Sequence, residues 1–111
     1  MRISILLEPA MPSRFFNAEI KKLFLPFSQI ELVFQDVADI LRNGVRGEVF
    51  LNSHGEIYPY VIEDVLYEYF SNGGGLFHLG GSPFETAVIE QDGEWVPVVR
   101  TFGDSRDNAG F

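Results

Sequence analysis

One stretch decides the fold of this 111-residue chain: Gly73-Gly74-Gly75-Leu76-Phe77-His78-Leu79-Gly80-Gly81-Ser82-Pro83-Phe84. The three leading glycines predict the end of a helix, because glycine readily takes the left-handed conformation found there. Leu76 to Leu79 is a short apolar run typical of a strand covered on both faces. Gly80-Gly81 then predicts a tight turn, where open α/β sheets bind their ligands. Ser82 follows this turn and is therefore a candidate for a reactive side chain.

Three further strand–helix units precede this stretch. Short apolar runs predict strands at 3–7, 30–34 and 48–51. A helical stripe that Pro26 ends follows the first strand, and a short helix at 37–42 follows the second. The clearest amphipathic helix begins after Pro59, where apolar residues recur as pairs every four positions. Strands therefore alternate with helices along most of the chain.

The pattern changes after Phe84. Two strand-like segments, 86–90 and 94–99, flank Gln91-Asp92-Gly93, and Asp-Gly is a strong turn signal for a β-hairpin. The preceding alternation favours a parallel sheet with right-handed crossovers. We therefore predict an α/β fold: a flavodoxin-like three-layer sandwich with a mainly parallel sheet of order 2-1-3-4 and a C-terminal β-hairpin.

One domain is expected to span residues 1–111. It divides into an α/β core (1–85), the hairpin (86–100) and a polar tail (101–111). Because the tail stops without a closing element, we expect the chain to be a piece of a longer protein.

The composition excludes several functions. The formal net charge of -8 opposes binding to nucleic acid. The absence of cysteine excludes disulfides, thiolate metal sites and a cysteine nucleophile. No apolar run approaches membrane-spanning length, and no signal peptide is apparent, so we expect a soluble protein without a membrane partner. The cellular compartment stays open.

The predicted sheet order brings polar residues together at the carboxyl ends of the first and third strands. The loop after the third strand is the most polar of the strand-end segments, and the glycine turn lies next to it. We expect a ligand crevice there. Its candidate residues are Glu8, Asn52, Ser53, His54, Gly55, Glu56, Gly80, Gly81 and Ser82.

Two motifs carry a resemblance to a known family. Asn-Ser-His-Gly-Glu-Ile-Tyr-Pro at 52–59, an amphipathic helix and Leu-Gly-Gly-Ser-Pro-Phe at 79–84 resemble the class I glutamine amidotransferase-like superfamily. More narrowly, they are similar to the non-catalytic domains attached to glycoside hydrolases and related carbohydrate-active proteins. The resemblance implies an elbow cysteine and a later histidine in the active members. This chain has no cysteine, and its two histidines are His54 and His78, so those catalytic residues are not carried over.

Ser82 and His54 form the alternative site. A serine nucleophile needs a base within hydrogen-bond reach, and His54 is the candidate. Ser82 lacks the second glycine of a G-x-S-x-G elbow, and Pro83 disfavours helical geometry at the preceding residue, so a turn role competes with a catalytic one. His54 with Glu56 could form an acid–base pair, or His54 could stabilise its loop. Two ligands do not make a metal site, and no metal is expected.

Two other groups have competing interpretations. His78, in mid-strand, is expected to be a buried core histidine. Four aromatic residues form a candidate rim that stacks on sugars or contacts the rest of the parent protein. They are Tyr58, Tyr60, Phe84 and Trp95.

The leading hypothesis is a non-catalytic accessory domain of a larger carbohydrate-active protein, serving domain or subunit assembly or ligand binding. Its expected partners are other domains or subunits of that protein, with carbohydrate as a second candidate, and no cofactor is expected. The alternative is a small serine hydrolase using Ser82 and His54. A phosphate binder is disfavoured, because the loop after the first strand lacks the glycines that cradle phosphate.

Overall fold

The computed structural model describes residues 1–12, 17–78 and 83–98. Strands and helices alternate through the first two-thirds of the chain, as the sequence predicts, apart from one short extra strand, and two further strands follow. The elements are β1 (Arg2–Leu6), α1 (Asn17–Phe24), β2 (Glu31–Gln35), α2 (Val37–Asn43), β3 (Val49–Asn52), β4 (Ile57–Pro59), a 3₁₀ helix (Tyr60–Ile62), α3 (Glu63–Ser71), β5 (Gly75–Phe77), β6 (Thr86–Gln91) and β7 (Glu94–Val98).

Four of the strands form sheet A, in the order β2-β1-β3-β5. All neighbouring pairs are parallel, and Ile3 of the central strand β1 lies opposite Leu32 on one side and Val49 on the other. The predicted parallel sheet and its order are therefore confirmed, with β5 as the fourth strand, and the protein belongs to the α/β class.

Helices cover sheet A on both faces. Successive side chains of a strand point to opposite faces, so β1 and β3 supply apolar residues to two separate clusters. The cluster under α1 contains Ile3, Ile5, Leu51, Ile20 and Phe24, and the cluster under α2 and α3 contains Leu6, Phe50, Ile40, Ile62 and Leu66. No helix in the described part of the chain is long and apolar enough to cross a bilayer.

Sheet B has three strands, in the order β4-β6-β7. β6 and β7 pair antiparallel across Asp92 and Gly93, whose positive φ angles of 51° and 83° suit a two-residue turn. β4 pairs parallel with β6, so that Tyr58 lies opposite Ala87. The sequence did not predict β4, since three residues are too few to show a periodic pattern.

β5 differs from its prediction. Leu76 and Phe77 were expected to be covered on both faces, but their exposed fractions are 41% and 38%. His78 is also exposed, so its prediction as a core residue is wrong. The physical reason is position: β3 is the neighbour of β5 in sheet A, and β5 forms an edge of the described sheet. Leu79 lies outside the described residues.

The glycines before β5 allow a close contact with α3. Gly73 has a φ of 95° just after the end of α3, as predicted for a helix-ending glycine. A Cβ atom on Gly74 would lie 2.3 Å from the Tyr69 ring, so only glycine fits beneath that ring. The Tyr69 hydroxyl in turn donates to the Gly47 carbonyl at 2.9 Å. This chain of contacts ties α3 to the beginning of β3.

Candidate ligand crevice at the carboxyl ends of β1 and β3

The polar residues after β1 and β3 meet as the sequence predicts. Leu6 and Asn52, the last residues of these strands, lie opposite each other in the parallel register. The backbone N–H of Glu8 donates to Nε2 of His54 at 2.9 Å. The structure therefore joins the first loop to the loop at 52–56. Gly80, Gly81 and Ser82, the remaining predicted crevice residues, lie outside the described residues.

Both ring nitrogens of His54 are engaged by the loop after β1. Nε2 accepts from the Glu8 backbone, and Nδ1 lies 2.8 Å from the carbonyl oxygen of Pro12. A carbonyl can only accept, so Nδ1 carries the proton and the ring is the neutral Nδ1–H tautomer. His54 is 4% exposed. The ring therefore links the loop after β1 to the loop after β3 through two hydrogen bonds.

Burial lowers the pKa of His54, because a charged imidazolium would lose its hydration. The Pro12 carbonyl and the Glu8 carboxylate oppose this effect without overcoming it. The ring is thus held neutral below the pH at which an ordinary histidine becomes charged.

The lowered pKa of His54 gives a testable pH dependence. The contribution of the neutral His54 ring to the free energy of unfolding is fully present above the unfolded-state pKa of 6.5. This contribution is lost as the pH falls from 6.5 through the folded-state pKa. In this window the unfolding free energy should fall by up to about 1.4 kcal/mol per pH unit. Urea denaturation at about pH 7.5 and pH 5.5 measures this loss.

Two histidine variants control this measurement. His78→Gln should show the full pH-dependent loss of unfolding free energy. His54→Asn should be less stable at the higher pH and should show little of that pH-dependent loss. An equal pH dependence in both variants would show that His54 is not the group responsible.

Asn52 and Ser53 hold the backbone of their own loop. Asn52 accepts from the His54 N–H at 3.0 Å through Oδ1 and donates to the Ile57 carbonyl at 2.7 Å through Nδ2. The buried Ser53 hydroxyl donates to the Leu6 carbonyl. Gly55 is buried with a φ of 81°, a conformation that favours glycine. These predicted crevice residues are thus used in shaping the loop.

Glu8 and Asp36 both cap α2. One Glu8 carboxylate oxygen accepts from the Val37 N–H at 2.9 Å, and Asp36 accepts from the Asp39 N–H at 2.8 Å. Two carboxylates thus face the positive end of the short helix, where anions are stabilised. Asp36 is the N-cap of α2, and Glu8 adds a second cap from the loop after β1.

A buried network at the end of β2 was not predicted. Gln35, which is 1% exposed, accepts from the Ser4 hydroxyl and from the Arg46 N–H at 3.0 Å. Its amide nitrogen donates to Asp39 at 2.7 Å and to the Gly44 carbonyl at 2.9 Å. Gln35 therefore satisfies polar groups from β1, α2 and the loop before β3. A glutamine at the end of an apolar strand does not by itself indicate this role in the sequence.

Glu56 lies beside Glu85, which the sequence did not single out. The Thr86 N–H donates to the Glu56 carbonyl at 3.1 Å, which brings the two glutamates to neighbouring positions. The hydrogen bond from one carboxyl to the other, together with repulsion from the Glu56 charge, raises the pKa of Glu85. Two carboxyl groups alone do not form a metal site.

The four aromatic candidates divide into core and surface. Tyr58 is fully buried and donates to Glu63 at 2.7 Å, so its prediction as a surface ring is wrong. The cause is β4, which carries Tyr58 into the interior. Phe84 is half-buried, with its ring centroid 5.6 Å from that of Tyr58. Tyr60 is 38% exposed and Trp95 is half-buried, so these two reach the surface.

Comparison of the chain with protein-family models, curated proteins and solved structures finds no match. Within residues 1–12, 17–78 and 83–98, no group of three or more histidine or carboxylate side chains could hold a metal ion.

Proposed function

We propose that this chain is a non-catalytic amidotransferase-like accessory domain of a larger carbohydrate-active protein related to glycoside hydrolases. Its role is the assembly of domains or subunits, or ligand binding. The parallel strand order and the helices on both faces of sheet A support a flavodoxin-like three-layer sandwich. The antiparallel β6–β7 pair supports a hairpin after that core. The motifs at 52–59 and 79–84 are the support for the carbohydrate-active parent.

The observation that carries the non-catalytic assignment is the engagement of His54. A general base needs a free nitrogen lone pair near the proton it removes. The Nε2 lone pair already accepts from Glu8, and Nδ1 is hydrogen-bonded to Pro12. The absence of cysteine removes the nucleophile of active amidotransferases as well.

The serine hydrolase alternative requires Ser82 and His54 to act together. Ser82 lies outside the described residues. His54 would have to break its bond to Glu8 before it could accept a proton from a hydroxyl group. Its lowered pKa also makes it a weaker base than an ordinary histidine. Both points favour the accessory role.

Turnover assays test this assignment. We expect no hydrolysis of glutamine or p-nitrophenyl acetate above the rate given by the Ser82→Ala variant. The reason is that His54, the candidate base, is already hydrogen-bonded through both ring nitrogens. Measurable hydrolysis that both Ser82→Ala and His54→Gln abolish would overturn the proposal, provided that circular dichroism shows both variants to be folded.

Peptide mapping of the native protein tests the proposed parent. Mass spectrometry of the protein purified from its source should find peptides of a glycoside hydrolase-type catalytic domain in the same polypeptide or complex. If such peptides are found neither in the same polypeptide nor in its complex, the carbohydrate-active assignment is contradicted. The turnover result is unaffected by that outcome.

A further inference from the structure

A groove runs between the 3₁₀ helix and sheet B. One of its two cavities has a volume of about 310 Å³ and is lined by Val37, Val61, Val88, Ile89, Glu90 and Trp95. A second cavity of about 380 Å³ shares Val61 and Ile89 with it and continues along Tyr60 and Asp64. We call this continuous depression the Trp95 groove. Its floor is apolar, and Val61 is 52% exposed at its edge.

Trp95 contributes an unused hydrogen-bond donor to this groove. Its indole Nε1 is buried, and no acceptor lies within hydrogen-bond distance among the described residues. A buried donor without a partner destabilises the protein. Because Trp95 lines the groove, an acceptor on a bound molecule would satisfy this donor.

The charged side chains that line the two cavities are all acidic, namely Glu63, Asp64 and Glu90. Glu90 lies opposite Trp95 in the β6–β7 register and lines the same cavity. The stretch 47–98, which supplies most of the groove, contains nine carboxylates and neither lysine nor arginine. An apolar floor beside such a rim fits an occupant that carries apolar groups and positive charge.

We propose that the Trp95 groove binds a polypeptide segment with alternating apolar and lysine or arginine side chains. The apolar side chains pack against Val61 and Ile89, the cations face Glu90, and a backbone carbonyl accepts from Nε1 of Trp95. A polypeptide supplies all three features in one extended strand. This inference rests on the proposed assembly role, and it assigns that role a surface and a partner chemistry.

The single tryptophan provides the test, because its fluorescence reports on this groove alone. The probe is a capped hexapeptide of alternating valine and lysine, titrated at low salt into the whole chain. We expect a saturable change in Trp95 emission that weakens several-fold at about 0.5 M salt. The matched hexapeptide with glutamate in place of lysine should cause no change.

Variants locate the binding on the protein. Glu90→Gln should weaken peptide binding about two- to fivefold, as expected for one exposed charge. Val61→Asn, at an exposed position, should weaken it through the apolar contact. Glu19→Gln is the control, because it removes the same charge from α1 on the opposite face of sheet A. Equal effects of Glu19→Gln and Glu90→Gln would overturn the proposal.

Other occupants give other results. A response to maltohexaose but not to the lysine peptide would identify a sugar site and overturn the proposal. An emission change that depends on protein concentration, together with dimers in sedimentation, would show that a second copy of the chain occupies the groove. That result would overturn the peptide proposal. Both experiments are independent of hydrolytic turnover, so this inference and the proposed function can fail separately.

Discussion

Gly47→Ala is expected to destabilise the protein by about 3 kcal/mol, at the upper end of the effects of overpacking. A Cβ atom on Gly47 would lie 2.6 Å from the carbonyl oxygen of Arg2 and 2.6 Å from the nitrogen of Ser4. Both are backbone atoms of β1, the central strand of sheet A, and they cannot rotate away as a side chain would. The added methyl group must therefore push the beginning of β3 away from β1.

The measurement is urea denaturation of Gly47→Ala beside Gly73→Ala. Gly73 has no atom within 4 Å of an added Cβ, but its φ is 95°. Gly73→Ala therefore reports backbone strain alone and should cost about 1–2 kcal/mol. A loss for Gly47→Ala equal to or smaller than that for Gly73→Ala would mean that β1 and β3 are not packed as described.

Gln35→Leu is expected to cost about 3 kcal/mol, although leucine suits a buried site in size. The substitution leaves the Ser4 hydroxyl, the Arg46 N–H and the Gly44 carbonyl without their partner. The buried Ser4 hydroxyl left unpaired costs about 1–3 kcal/mol, and the two partly buried backbone groups add less because water can reach them. Thermal or urea unfolding measures the loss.

Ser4→Ala is the matched control for Gln35→Leu. It removes one hydroxyl from the same network, while the Gln35 side-chain oxygen still accepts from Arg46. The expected cost is about 1 kcal/mol. If Ser4→Ala costs as much as Gln35→Leu, Gln35 is not the centre of the network.

The sheet order was predictable from the sequence because its signals are local. Apolar runs of four or five residues alternate with helical stripes, and few sheet orders suit that alternation. The crevice loops were predictable for the same reason, since the carboxyl ends of adjacent parallel strands must meet. Residues such as Glu8 and His54 are accordingly found together.

The roles of those residues were not predictable. The partners of His54 are a backbone N–H and the Pro12 carbonyl, 42 residues away, and any residue type supplies such groups. β4 was missed because three residues carry no period, and Tyr58 was consequently expected at the surface. The exposure of Leu76 and Phe77 depends on what covers an edge strand, which the strand's own residues do not encode.

The central claim is that His54 is a neutral link between two loops rather than a base. Long-range ¹H–¹⁵N NMR of the imidazole ring tests it directly, because protonated and bare ring nitrogens differ widely in chemical shift. We predict a protonated Nδ1 and an unprotonated Nε2 at about pH 7, unchanged until the pH falls below the ordinary pKa of 6.5. A proton on Nε2 with a bare Nδ1, or an imidazolium that forms at or above that pKa, would contradict the account.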